Sequence, residues 1–232
     1  MIGKIFEAKK KFKFTKFYNE RKKFLKKHAD KSFVIGKGSG VVMLSAPHGV
    51  EHVRMGKPKF KEPGSLALML EVQKLTGAHY IAKTKNLGDD ANYEEVCPYK
   101  EELIDYIQKN NIKYLIDFHG LKKTSGFDIN LGTYLGQNIK NDEAMFDELY
   151  LKLKDEGFVV TVDSPYWGGV RTVSGAVAKR AGIWTLQMEI NYKYTSKSEY
   201  TKRLLAMIEI LVTTIDRINE KYAEEKPNKK RK

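Results

Sequence analysis

The stretch Val41-Val-Met-Leu-Ser-Ala-Pro-His-Gly-Val-Glu-His52 governs how the rest of the chain is read. Val41 to Leu44 form a short apolar run typical of a buried strand, and the polar turn after it carries His48, Glu51 and His52. An imidazole and a carboxylate three residues apart, as His48 and Glu51 are, make a donor pair that a borderline-soft divalent ion such as zinc accepts. An open zinc site takes three protein ligands and leaves one position free. A third candidate ligand, His119, ends the run Tyr114-Leu-Ile-Asp-Phe-His-Gly120. A further run, Trp184-Thr-Leu-Gln-Met-Glu-Ile-Asn191, carries Glu189, a carboxylate suited to general-base work. Each of these three strand-like runs ends on a residue type used in metal sites.

Outward from that turn, strand and helix patterns alternate. Phe33–Ile35 and Val41–Leu44 flank Gly36-Lys-Gly-Ser-Gly40, which reads as a hairpin turn because it lacks the spacing of a phosphate-binding loop. Residues 54–64 read as a polar loop able to line a pocket. Helical periodicity follows over 66–76, 99–110, 143–155, 173–181 and 200–222, with strands at 79–82, 114–118, 127–131, 158–162 and 183–188. This alternation predicts a three-layer α/β/α fold of the phosphorylase/hydrolase-like kind, with a mixed, largely parallel central sheet. Open sheets of this type place their sites at the carboxyl ends of strands.

The totals fit one α/β domain over residues 1–225, with a basic N-terminal segment (1–32) and a basic tail (226–232) read as disordered. The net charge of +13 sits at the ends. Residues 1–32 hold twelve Lys/Arg against three Asp/Glu, and residues 226–232 hold five Lys/Arg and no acid, so the body is close to neutral. Charge appended in this way does not make a groove-reading basic stripe, and no specific nucleic-acid partner is expected. Residues 4–28 read as a helix packed by its aromatic face, with solvated lysines outside. The competing reading is a basic amphipathic segment on an anionic surface. The single cysteine, Cys97, suits a reducing compartment, and no apolar run reaches the ~18 residues of a membrane span. With no secretory signal visible, the expected location is the cytoplasm. The number of subunits cannot be read from the chain.

Taken singly, these residues have plain structural explanations: a histidine in a turn, a surface glutamate, a strand-end carboxylate. In combination they carry more weight. Asp117, two residues before His119, is placed to orient a ligand imidazole or to serve separately. His52 is a substitute ligand, a contact to a ligand or substrate, or an ordinary turn histidine. Asn92, Tyr166 and Trp167 are candidates for lining the substrate pocket, and turn packing accounts for them equally.

The pieces Ser45-Ala-Pro-His-Gly-Val-Glu51, Asp117-Phe-His-Gly120, Ser164-Pro-Tyr-Trp-Gly-Gly-Val-Arg171 and Leu186-Gln-Met-Glu-Ile-Asn191 resemble the N-formylglutamate amidohydrolase family, which belongs with the zinc carboxypeptidase-like hydrolases. The resemblance runs from about Val41 to Asn191. It implies Zn2+ held by His48, Glu51 and His119, with Glu189 as general base and Arg171 in a substrate-binding or oxyanion role. The implied activity is hydrolysis of an amide in a small N-acyl (N-formyl) amino acid or peptide-like substrate. The family's Asp-Leu-Asn-Arg-like stretch is answered here only by Asp89-Asp-Ala-Asn92, with no arginine following. The alternative is a catalytically degenerate member that binds an anionic partner through its basic ends.

Overall fold

Side-chain alternation along the strands decides which helices cover which face of the sheet. In a computed structural model describing residue 7 and residues 9–224, strand β2 (Val42–Ala46) sends Val42, Leu44 and Ala46 into one apolar cluster and Met43 into another. Strand β6 (Tyr114–Leu121) repeats the pattern, with Tyr114, Ile116 and Phe118 in the first cluster and Leu115 in the second. Strand β9 (Trp184–Asn191) adds Trp184, Leu186, Met188 and Ile190 to the first. That cluster is completed by helices α2 (Pro63–Thr76), α4 (Glu143–Asp155) and α7 (Thr201–Glu224), with Phe17 of α1 (Phe14–Lys27). The second cluster is smaller and is completed by α3 (Pro98–Lys109) and α5 (Val173–Ala181).

The result is the predicted three-layer α/β/α architecture around a seven-stranded mixed sheet. The remaining strands are β1 (Phe33–Gly36), β5 (His79–Lys83), β7 (Ile129–Gly132) and β8 (Val160–Val162), and the order is β1-β5-β2-β6-β9-β7-β8. The pairs β1/β5 and β7/β9 are antiparallel and the other four are parallel. Strands β3 (His52–Arg54) and β4 (Lys57–Lys59) form a separate hairpin that runs into the segment 54–64 read as a loop. A short helix α6 (Tyr192–Ser196) leads from β9 toward α7.

The hairpin expected around Gly36–Gly40 does not form. β1 and β2 are separated by β5, which pairs with both. The glycine-rich connection instead crosses the end of α2, where Ser39 N donates to Gly77 O at 2.8 Å. A Cβ on Gly38 would lie 2.3 Å from the Ala78 carbonyl carbon, so that crossing needs glycine.

α1 is a helix buried by Phe17 and Arg21 and packed on α2; it meets the aromatic-face reading over residues 14–27, whereas residues 12 and 13, inside the helix expected over 4–28, are not helical. The basic tail at 226–232 lies outside the described residues. Among the described residues, no helix is long and apolar enough to cross a membrane. Leu211, fully buried in α7, tests the main core. Leu211→Ala is expected to lower the unfolding free energy by about 2–5 kcal/mol in urea denaturation, the range for a leucine truncation that leaves a cavity.

Candidate metal centre and its cleft

The second face of the sheet is apolar near the start of the parallel strands and polar toward their carboxyl ends. There β2 contributes Ser45, β6 contributes Asp117 and His119, and β9 contributes Gln187 and Glu189. Register brings Asp117 beside Gln187 and His119 beside Glu189. His48 follows β2 in the turn, and Glu62 is the residue immediately before α2. Pro63 at the first helical position fixes the entry to that helix, and the helix N-terminus favours a negative charge at Glu62.

Three side chains converge. His48 Nδ1 lies 2.9 Å from Glu62 Oε1, His119 Nδ1 lies 3.3 Å from Glu62 Oε2, and the two Nδ1 atoms are 3.2 Å apart. Each ring is held from behind by a buried carboxylate. His48 Nε2 is 2.8 Å from Asp90 Oδ1, and His119 Nε2 is 3.0 Å from Asp117 Oδ2. With the Nε2 protons donated to Asp90 and Asp117, both Nδ1 lone pairs and the Glu62 oxygens face one another, an arrangement of acceptors that calls for a cation. Tetrahedral zinc bonded at ~2.0–2.1 Å separates its donors by about 3.3 Å, close to the spacings found. His48, Glu62 and His119 therefore fit a zinc-type ion.

The carboxylates around the two rings also set their basicity in the ion-free site. Burial lowers the basicity of His48 and His119, but Glu62 and Asp90 around the first, and Asp117 and Glu62 around the second, outweigh it and raise both. Glu62 is opposed by burial and held well below the ordinary carboxylate range by the two imidazoles. Glu189 moves the other way: burial dominates and lifts its carboxyl to about 7. Gln187 Nε2 donates to Glu189 Oε1 at 3.0 Å and fixes its orientation.

Not every expected residue arrives here. Glu51 is not brought to the cluster: its side chain is 62 % exposed and faces Lys61 at 3.8 Å. The reason is alternation, since His52 begins β3 pointing inward and its predecessor points out. Glu62 stands where Glu51 was expected. Arg171 is exposed, with its guanidinium 5.5 Å from the Tyr93 ring centre, and it is not among the residues lining the cleft. Its backbone is anchored, because buried Lys100 Nζ donates to Arg171 O at 2.6 Å and to Glu94 O. The arginine lining the cleft is Arg54, whose Nε donates to Asp90 Oδ2 at 2.6 Å.

His52 is buried and stacked on His48, with ring centres 3.8 Å apart. Burial and the neighbouring His48 lower its pKa to about 4, so it stays neutral. His48, His52 and Asp90 form a second group of potential donors, but the Arg54 guanidinium already supplies Asp90 with its cation. Asn92 lines the cleft while its Oδ1 accepts from Val173 N at 2.8 Å, tying it to the start of α5. Tyr166 and Trp167 line the cleft and are exposed. The cavity measures about 420 Å³, within the range of small-molecule sites. Cys97 is buried, and burial raises its thiol pKa, as expected for an inert thiol.

Of the residues around the candidate ion position, Asp90 and Glu62 are the two the sequence did not single out, and Arg54 and Gln187 join them in the cleft. The cluster Asp89-Asp-Ala-Asn92 was a visible signal for the first. For the second, the only signal was a carboxylate directly before Pro63-Gly-Ser65 at a helix start.

The layered sheet and its polar second face define a three-layer α/β/α protein with a hydrolase-like fold. Among solved structures, N-formylglutamate amidohydrolase from Ralstonia eutropha JMP134 matches it with a TM-score of 0.57 at 12% identity, covering 82% of this chain and 99% of that one. A bacteriophage poly-gamma-glutamate hydrolase gives 0.50 at 13% identity, covering 83% and 90%. A zinc-free apo form of YNDL gives 0.52 at 18% identity, covering 80% and 90%. No family model matches the sequence, and neither does any curated protein. The resemblance seen in the sequence is thus met in the fold.

Proposed function

We propose that this protein is a zinc-dependent hydrolase of an amide bond in a small N-acyl amino acid or a peptide-like substrate. The observation that carries the reading is the convergence of His48 Nδ1, His119 Nδ1 and the Glu62 carboxylate within 3.3 Å of one another while Asp90 and Asp117 hold the rings from behind. His48, Glu62 and His119 would hold the ion. Bound there, zinc supplies Lewis-acid polarisation of a carbonyl and lowers the pKa of water toward ~7.

The remaining steps belong to the chain's own side chains. Glu189, beside His119 in the sheet, takes a proton from the attacking water and returns it to the departing amine. Gln187 keeps that carboxylate aimed. Arg54 is the guanidinium lining the cleft; with its Nε held by Asp90, its terminal nitrogens are the ones left to meet negative charge on the substrate, the role read for Arg171 from sequence. A catalytically degenerate binding protein has no evident use for two buried imidazole–carboxylate pairs facing a third carboxylate, because such groups are costly to bury.

The test is metal loading followed by a hydrolysis screen. Purified protein is expected to bind close to one zinc per chain, to release amine from N-formyl or N-acetyl amino acids or short peptides, and to lose that activity reversibly to a chelator. Protein that binds no zinc and cleaves none of these amides would overturn the reading.

A further inference from the structure

The lips of the cleft carry exposed aromatic side chains that the proposed chemistry does not use. Phe60, between β4 and α2, is 92 % exposed. Tyr166 and Trp167, on the turn after β8, are 42 % and 52 % exposed. All three line the same cleft as His48, Glu62 and Glu189. Large apolar groups left in water at one concave site mark a binding surface.

The turn that presents Tyr166 and Trp167 is not a loose tip. Asn130 Nδ2 donates to Ser164 O at 2.8 Å, and Asn138 Nδ2 donates to Gly168 O at 2.8 Å. Asp163 at its base accepts from Thr133 N and Oγ1 at 2.6 Å each. The turn packs so closely on the sheet that a Cβ on Gly132 would lie 2.8 Å from Gly168 N. The Trp167 ring is edge-on to Tyr134 at 5.5 Å. A backbone tied down at this many points, with its aromatic side chains left bare, forms a fixed platform whose ordering cost is met before a ligand arrives.

The same cleft is lined by Lys59, Lys122 and Arg54. Neither lysine is in an ion pair among the described residues, so positive charge is available next to the aromatic surface.

We infer that the substrate carries a flat apolar ring together with a carboxylate, for example an N-acylated aromatic amino acid, with the ring held between Phe60 and Trp167 and the carboxylate met by the cleft's cations. This rests on the hydrolase reading above and narrows its substrate class. An aromatic ring covered on both faces gains from area burial and from ring–ring contact, enough for tenfold or more in affinity.

The probes are N-methylsulfonyl-tryptophan and N-methylsulfonyl-glutamate, whose sulfonamides resist hydrolysis, titrated calorimetrically into the zinc-loaded protein. The tryptophan probe is expected to bind at least about tenfold more tightly, with Phe60→Ala and Trp167→Ala each erasing most of the difference. Equal binding, tighter binding of the glutamate probe, or a preference unchanged in both variants would overturn the inference. Parallel hydrolysis of N-formyl-tryptophan and N-formyl-glutamate separates it from the reaction itself. A ring preference in binding without turnover of either formyl compound supports this inference and counts against the hydrolase reading, whereas turnover without ring preference does the opposite.

Discussion

Glu62→Ala protein is expected to purify without zinc, while Glu51→Ala protein keeps its zinc content. The two carboxylates are the alternatives for one ligand position, and their surroundings differ sharply. Glu51 is largely in water beside Lys61, so its removal takes nothing from the imidazole pair. Glu62 spans both rings with its two oxygens, and its Oε2 also accepts from Gly120 N at 2.9 Å. Gly120 eases that approach, because a Cβ there would lie 3.2 Å from the Glu62 Cβ, a tight contact that would push the two apart by a few tenths of an ångström. Losing an outer partner of a ligand lowers metal affinity roughly 10–100-fold, and losing a charged ligand itself should exceed that. Glu62→Gln serves as the control for folding, since it keeps the shape while putting a neutral amide against the two rings. Metal content measured by atomic emission, with thermal unfolding alongside, decides the matter. Equal zinc in Glu62→Ala and in the unmodified protein would show that the ion is held elsewhere.

The contrast between these glutamates shows what could be read from the chain. His119 and Glu189 were legible because each interrupts an apolar run, and a polar group inside a buried strand needs a partner or a use. Asp117 was legible for the same reason, and the structure gives it the Nε2 atom of His119. Glu51 misled because spacing of three residues places side chains on one face only in a helix, whereas here it enters a strand. Glu62 reaches His48 through a chain reversal over the β3/β4 hairpin, fourteen residues on. Nothing local encodes that return. The layers of the fold were legible from alternating helical and strand periods. The neighbour relations were less so, since β5 separates β1 from β2 through a pairing that depends on distant register rather than on the glycines between them. Arg171 was read from its company in a motif, but both Arg171 and Arg54 place their guanidinium 5.5 Å from the Tyr93 ring centre, and of the two Arg54 lines the cleft.

Glu189→Gln is expected to lower kcat by roughly 10²–10⁴-fold while leaving bound zinc unchanged, because the role proposed for the carboxylate is to carry a proton and not to hold the ion. The substitution is nearly isosteric, so the cavity and the contact from Gln187 survive in outline. Stability supplies an independent check. Burial raises the Glu189 carboxyl to about 7, so the folded metal-free protein holds this proton more tightly than the unfolded chain does. For such a group the stabilising contribution is present below the unfolded value near 4.3 and is lost as pH rises through about 7. Above that pH the native protein carries a buried negative charge that glutamine lacks. Metal-free Glu189→Gln protein should accordingly unfold at the same temperature as the unmodified protein or higher at pH 8, with the difference vanishing toward pH 4. A variant that is inactive, zinc-loaded and no less stable isolates the proton transfer. If it lost zinc as well, Glu189 would instead be a ligand, and if it kept full kcat another group would have to be the base.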